Sequence, residues 1–246
     1  MLSRPGWVDT HCHTKFSFDS QEEVENYLKL TPGPVVTTEH LDFDNPVTGR
    51  DDYPDYQAYA REWARLEKKY PGRLYKGIEV GYTPQSLGRI EAFLKDKAYD
   101  LVLLSVHQNG VYDFATDQVE GRDPYQVAGD YLDLVLEASR VFKGAQVLAH
   151  IDYGFRRIAY DRALLEHFKD HFIGILENIK AQDMALELNC RSIYQFGNLP
   201  IYDYVLDLNK QVGGDKYTLG SDAHFANYYR YEFDRALKFL EKKIGG

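Results

Sequence analysis

An α/β fold, with parallel strands closed into a barrel of seven β/α repeats, is the class this 246-residue sequence predicts. Short apolar runs of strand length alternate with longer helical patterns along the whole chain. No Pro/Gly/Ser linker separates them, so one domain spanning residues 1–246 is expected. An open, doubly wound sheet has the same periodicity, but seven repeats favour closure. In a barrel the chemistry gathers at the C-terminal ends of the strands.

The elements follow in order. The first expected strand, 7–13, leads to Ser20 and a brief amphipathic piece, 22–30. The second, 35–40, is rich in β-branched residues and opens into a Tyr- and Asp-rich segment, 43–59, read as a rim loop able to cover a substrate. A helix over 56–70 follows Pro54-Asp55, and a strand over 74–82 precedes a helix over 87–97 that follows Pro84. Strand 100–107 is followed by helix 124–142, where Asp123 is a good N-cap and Pro124 fills the first helical position. The pattern continues with strand 146–152, helix 162–181, strand 185–190, helix 201–212, strand 217–224 and helix 232–243.

Composition narrows the function classes. The net charge of −9 opposes a broad nucleic-acid surface, which needs clustered Lys and Arg, though it allows a local basic pocket. The N-terminal residues carry no apolar stretch of signal-peptide length, and charges interrupt every apolar segment before it reaches membrane-span length. Cys12 and Cys190 are too few for a disulfide framework. A reduced, cytoplasmic protein is expected.

The histidines are placed unevenly. Of eight, six fall at or just beyond the end of an expected strand: His11, His13, His40, His107, His150 and His224. Glu79, Asp222 and Asp19 occupy equivalent places. Imidazole and carboxylate are ligands for divalent metals such as Zn, Mn and Fe, so a multinuclear metal site is indicated. In His11-x-His13 the strand period of two sends both imidazoles to one face and Cys12 to the other, and Asp222-x-His224 repeats this on the last strand. His167 and His171 lack the Glu placement of a zincin helix and lie far from any strand end, so they read as solvated helix surface.

The motifs His11-x-His13, Asp19, Glu39-His40, Gly77-Ile78-Glu79, Ser105-Val106-His107, Ala149-His150-Ile151-Asp152 and Gly220-Ser221-Asp222-Ala223-His224 run in one order from residue 9 to residue 224. In this the chain resembles the PHP (polymerase and histidinol phosphatase) family. The resemblance implies a distorted seven-stranded, TIM-like β/α barrel and three divalent metals. One would be held by His11, His13, Glu79 and Asp222. A second would share Glu79 and add His107 and His150, and the third would take Asp19, His40 and His224. Many family members carry histidine where this chain has Asp19, a harder, negative ligand that would shift preference toward Mn or Fe.

The phosphatase members imply hydrolysis of a small phosphate monoester, L-histidinol phosphate. Two metals sharing Glu79 would hold a hydroxide for in-line attack on phosphorus, since coordination brings the pKa of water to about 7. Glu79, Asp222 and His224 are the expected catalytic groups. Arg156, Arg157 and Arg191 are candidates for the phosphate, because a guanidinium fork contacts two phosphate oxygens at once. Gln108 could donate to a substrate oxygen. Asp42, Asp44 and Asp152 are candidates for orienting the imidazoles. Other readings are a PHP-type nuclease or nucleotide phosphoesterase, disfavoured by the missing basic stripe, an amidohydrolase-like enzyme, disfavoured because Glu79 stands where a modified lysine would bridge, and a regulatory protein with structural metals.

Overall fold

A computed structural model describes residues 7–245. The first six residues, part of the stretch read for a signal peptide, lie outside that range, as does the last residue of the expected domain. The strands are β1 (Val35–Asn45), β2 (Arg50–Asp52), β3 (Leu74–Gly81), β4 (Leu101–Ser105), β5 (Val147–Leu148), β6 (Ala185–Asn189) and β7 (Tyr217–Gly220). They form one sheet in the order β2-β1-β3-β4-β5-β6-β7, parallel throughout except for the antiparallel β1–β2 pair.

The helices are α1 (Val24–Leu30), α2 (Tyr56–Glu67), α3 (Leu87–Leu94), α4 (Pro124–Val141), α5 (Arg162–His167), α6 (Lys169–Ala181), α7 (Cys190–Tyr194), α8 (Leu199–Gln211) and α9 (Phe233–Ile244). Side-chain caps start several of them. Asp55 accepts from the N–H groups of Gln57 and Ala58, Asp123 from Tyr125, and Asn189 from Ser192.

The expected first strand is not a strand. Residues 9–13 instead form the seam of the barrel. Isolated parallel bridges join Asp9 to Leu219 and Cys12 to Ala223, and on the other side Thr38 N–H donates to the carbonyl of Cys12. Three steps along the seam match four along the last segment, so the ladder slips by one residue. Asp222, with φ of 55°, sits at the slip, and its N–H donates to the His11 carbonyl. The barrel is closed, but by single bridges.

Two further expectations change. Segment 43–59 is not a loop: β1 runs on to Asn45 and turns into β2, where Asn45 pairs with Arg50 and Asp42 with Asp52. The single helix expected over 162–181 breaks at Phe168, whose buried ring sits between α5 and α6. The short α7 directly follows β6.

Register decides which side chains meet. His40 lies beside Glu79, Glu79 beside Leu103, Leu103 beside Val147, and Val147 beside Ala185. In-register neighbours share a face. Glu79 therefore shares the inner face with Leu103, which belongs to a small apolar cluster with Val147 and Ala149. The alternate residues, among them Ile78, Leu104, Leu148 and Leu186, point outward into the large core under the helices.

Candidate metal centre

The strand ends deliver the predicted side chains to one place. His11 and His13 project from the seam to the same face, their ring centroids 5.1 Å apart, while Cys12 points away and is buried among Val24, Tyr27 and Val35. His13 stacks between His40 at 4.2 Å and His224 at 4.3 Å. Glu79 lies at the centre: Oε1 is 2.7 Å from His150 Nε2 and 3.2 Å from His107 Nε2, and Oε2 is 3.3 Å from His11 Nε2 and 3.5 Å from His13 Nε2. Asp222 Oδ1 is 3.6 Å from His13 Nε2 and 3.9 Å from His11 Nε2. Asp19 Oδ2 is 2.8 Å from His224 Nε2 and 3.5 Å from His40 Nε2.

Four imidazoles are held from behind. His11 Nδ1–H donates to Glu187 at 2.8 Å, and His107 Nδ1–H to Asp42 at 2.8 Å. His13 Nδ1–H donates at 3.1 Å to the Ser17 hydroxyl, which itself donates to Glu39. His224 Nδ1–H donates to the carbonyl of Asp222 at 3.0 Å. An oxygen acceptor on Nδ1 fixes the tautomer and leaves the Nε2 lone pair facing inward, the arrangement of a ligating histidine. The buried atoms His11 Nε2, His13 Nε2 and Glu79 Oε2 have no hydrogen-bond partner, although buried polar atoms are normally satisfied. The residues fit a cluster of divalent cations. Four triads could each hold an ion: His11, His13 and Glu79; Glu79, His107 and His150; His13, His40 and His224; and His40, Asp42 and His107.

Against burial, Glu187 and Glu79 raise His11, Asp19 and Glu79 raise His40, and Asp42 and Glu79 bring His107 up to about 10, so a bound cation would take the place of protons on these rings. Burial, with the charges of His40 and His224, brings His13 down to about 3, so its ring is neutral and able to bind a metal. Burial alone would raise the Glu79 carboxyl, but the charges of His11, His107 and His40 outweigh it and hold Glu79 well below the usual carboxylate range. Against the same burial, His107 and His40 bring Asp42 down to about 2.

Of the carboxylates expected to orient imidazoles, only Asp42 does so. Asp44 is exposed and pairs with Arg89 at 2.9 Å. Asp152 accepts from Tyr202 Oη and Asn198 Nδ2, each at 2.7 Å, and so braces the floor behind the rim. Glu187, Ser17 and Glu39 were not anticipated. Glu187 did carry a signal, an acidic residue in the middle of the apolar run Ala185-Leu-Glu-Leu.

A cleft of about 280 Å³ opens over the rim, with His11 and His13 beneath it. Arg156, Arg157, Arg191 and Gln108 all line it, but not equivalently. The Arg156 side chain is 5% exposed, donates to Ser192 Oγ at 2.7 Å and lies 3.3 Å from Asp222 Oδ2. Arg191 stands over the Phe196 ring, 5.7 Å from its centroid. Arg157 is 41% exposed, and its guanidinium faces Asp117 and Glu120 and donates to the Ala115 carbonyl. Gln108 donates both amide hydrogens to backbone, at Phe43 and Asp44, so none remains for a substrate oxygen. Segment 43–59 contributes Asn45 to the cleft wall. His167 is exposed, and His171 pairs with Asp133 at 3.0 Å on the helical surface, away from the cleft.

The fold and the rim together define a β/α-barrel protein built to hold several divalent metals. The chain belongs to the PHP domain family, whose pattern matches residues 9–191. It is 28% identical over 244 residues to a probable histidinol-phosphatase of Clostridium acetobutylicum, covering 95% of this chain and 92% of that one. It is 27% identical over 246 residues to the histidinol-phosphatase of Lactococcus lactis subsp. lactis, covering 96% and 90%. A crystal structure of the histidinol phosphate phosphatase from Lactococcus lactis, complexed with zinc, L-histidinol and phosphate, superposes with a TM-score of 0.85 at 24% identity, over 97% of this chain and 94% of that one. A Listeria monocytogenes structure described as a putative histidinol phosphatase gives 0.74 at 18% identity, over 93% and 99%. These superpositions establish the fold as a distorted TIM-like barrel.

Proposed function

We propose that this protein is a metal-dependent phosphomonoesterase that hydrolyses L-histidinol phosphate to L-histidinol and phosphate, a step of histidine biosynthesis, with residues 1–246 acting as one catalytic domain. The observation that carries the reading is the set of anchored imidazoles whose Nε2 atoms converge beside Glu79 and Asp222, those of His11 and His13 without a hydrogen-bond partner, under a cleft that presents a buried arginine. The names of the relatives at 27–28% identity support the substrate.

Three divalent ions, of Zn, Mn or Fe, would be held by His11, His13, Glu79 and Asp222; by Glu79, His107 and His150; and by Asp19, His40 and His224. When bound, they supply Lewis-acid charge and lower the pKa of water to about 7. Glu79, at the centre, belongs to two of these sets. Asp222 and His224, on one turn, bring a carboxylate and an imidazole to the reacting region. Arg156, braced by Ser192 and Asp222, and Arg191 present guanidinium groups to the phosphoryl oxygens as their charge builds up. The buried rim keeps bulk water from the ligating atoms. The buried, free thiols of Cys12 and Cys190 suit a reducing, cytoplasmic setting. Among the described residues no helix is long and apolar enough to cross a membrane.

The test is a phosphate-ester panel on chelated and metal-reconstituted protein. Reconstituted protein should turn over L-histidinol phosphate faster than generic esters, and chelated protein should be inactive. Equal rates across the panel would refute the substrate. Faster release of mononucleotides from single-stranded DNA would replace it with a nuclease.

A further inference from the structure

The cleft is lined by five carboxylates: Asp19, Asp42, Glu79, Asp113 and Asp222. Four face a basic side chain within 4.0 Å: Asp19 faces His224, Asp42 faces His107, Glu79 faces His150, and Asp222 faces Arg156. Asp113, among the described residues, pairs with none. It is nevertheless rigidly held. Its Oδ1 accepts the Ala115 N–H at 2.7 Å and the Tyr153 hydroxyl at 3.1 Å. Its backbone bridges Gln108, and the next residue, Phe114, donates to the carbonyl of His107 at 2.8 Å.

Tyr153 ties this carboxylate to the metal rim, since its ring lies 5.0 Å from both the His107 and the His150 rings. Burial raises the Asp113 carboxyl above its usual range against the opposing charge of His107, as expected of a partly desolvated anion without a close counter-ion. Neighbouring polar groups of the cleft wall are occupied. Gln108 is bound to backbone, and the Asn45 amide serves Asp52 and Val47.

A fixed, half-buried carboxylate with one oxygen lightly used is a receptor for a cation. We propose that Asp113 binds the ammonium group of the substrate, and that it selects phosphate monoesters with a cationic tail over those with a neutral one. This rests on the functional reading above. L-Histidinol phosphate carries its primary ammonium on the carbon next to the ester CH₂, so a metal-rim phosphate and a wall carboxylate would be engaged together.

Asp113→Asn preserves shape and still accepts from Ala115 and Tyr153 through its oxygen. Steady-state kinetics would be measured for native and variant protein on L-histidinol phosphate and on glycerol phosphate, with inhibition by L-histidinol as a separate binding readout. Charge-assisted hydrogen bonds contribute about 1.5–3 kcal/mol, so KM for histidinol phosphate and Ki for histidinol should rise by about tenfold or more, with kcat much less affected. The loss on glycerol phosphate should be at least about tenfold smaller. Equal losses on both esters, or a preserved preference for histidinol phosphate, would overturn the inference and leave the functional reading standing. Native protein that does not prefer histidinol phosphate would sink both.

Discussion

Glu187 accepts the Nδ1–H of His11 with one oxygen and the backbone N–H of His150 with the other, each at 2.8 Å. A single carboxylate buried in β6 thus sets the position of a ring on the seam and of the chain at the end of β5. Glu187→Gln keeps the shape but presents only one acceptor to these two donors, so one N–H loses its partner. Loss of such an outer carboxylate weakens metal binding by about 10–100-fold, and an unsatisfied buried donor costs about 1–3 kcal/mol. Metal retention against graded chelator and the unfolding free energy should both fall by these amounts.

Glycines make room for the orienting carboxylates. A Cβ on Gly81 would stand 1.9 Å from Asp42 Oδ1, and one on Gly220 would stand 2.0 Å from Glu187 Oε1. Gly81→Ala should therefore displace Asp42 from His107 and weaken metal binding, and the same substitution should matter less once Asp42 is Gly. A double-mutant cycle read by metal affinity should show a coupling of about 0.5–3 kcal/mol. Additive effects would mean that Gly81 acts through the backbone.

Arg156 and Arg157 are neighbours in sequence but opposite in setting, one clamped beside Asp222 and the other turned to Asp117 and Glu120. Removing a donor to developing charge costs about 10²–10³ in kcat. Arg156→Ala should lose activity on this scale. Arg157→Ala should lose less than about tenfold, because a half-exposed pair contributes only about 0–1 kcal/mol. Comparison of kcat/KM for the two variants decides between them.

Metal binding should register in stability as well as in activity. The His11 and His13 Nε2 atoms are buried without partners, and a cation that binds only the folded chain stabilises it by about 2.7 kcal/mol per site at a free concentration of 100 times Kd. Scanning calorimetry on chelated protein titrated with Zn or Mn should show Tm rising and then saturating. Glu79→Gln, which weakens two of the three proposed sites, should remove most of the rise.

The metal rim was legible in the sequence because strand ends in a parallel barrel converge, so six histidines needed only approximate strand boundaries to be placed together. Most of what lay hidden depends on contacts between strands. Glu187 meets His11 across 176 residues, and Asp42, though a candidate from the sequence, is assigned to His107, 65 residues away, only by register. Ser17, four residues from His13, is a local hydroxyl that nothing in the sequence marks. Strand β2 escaped notice because Arg50-Asp51-Asp52 has no apolar alternation. It is held by polar bonds instead, from Asn45 Nδ2 to Asp52 and from the Gly49 N–H to the Asn45 carbonyl. The break at Phe168 carries no Gly or Pro to mark it.

The seam is where the barrel depends on side chains rather than on a continuous ladder. Fully buried Asp9 accepts the N–H of Ser221 at 2.9 Å, the N–H of Arg230 at 3.0 Å and the N–H of His11 at 3.3 Å, and its second oxygen also takes the Ser221 hydroxyl. These bonds span the point where the register slips, so Asp9 does what paired backbone does elsewhere in the sheet. Asp9→Ala strands several buried donors, each worth about 1–3 kcal/mol when left unsatisfied. Urea unfolding should show a loss of several kcal/mol, with hydrogen exchange accelerated first at Thr10, His13 and Asp222, the amides that bond across the seam. Because Asp9 lies behind His11 and touches no proposed ligating atom, Asp9→Asn, which keeps one acceptor, should recover part of the stability. If Asp9→Ala unfolded no more easily than the native chain, closure would have to rest on the backbone bridges alone.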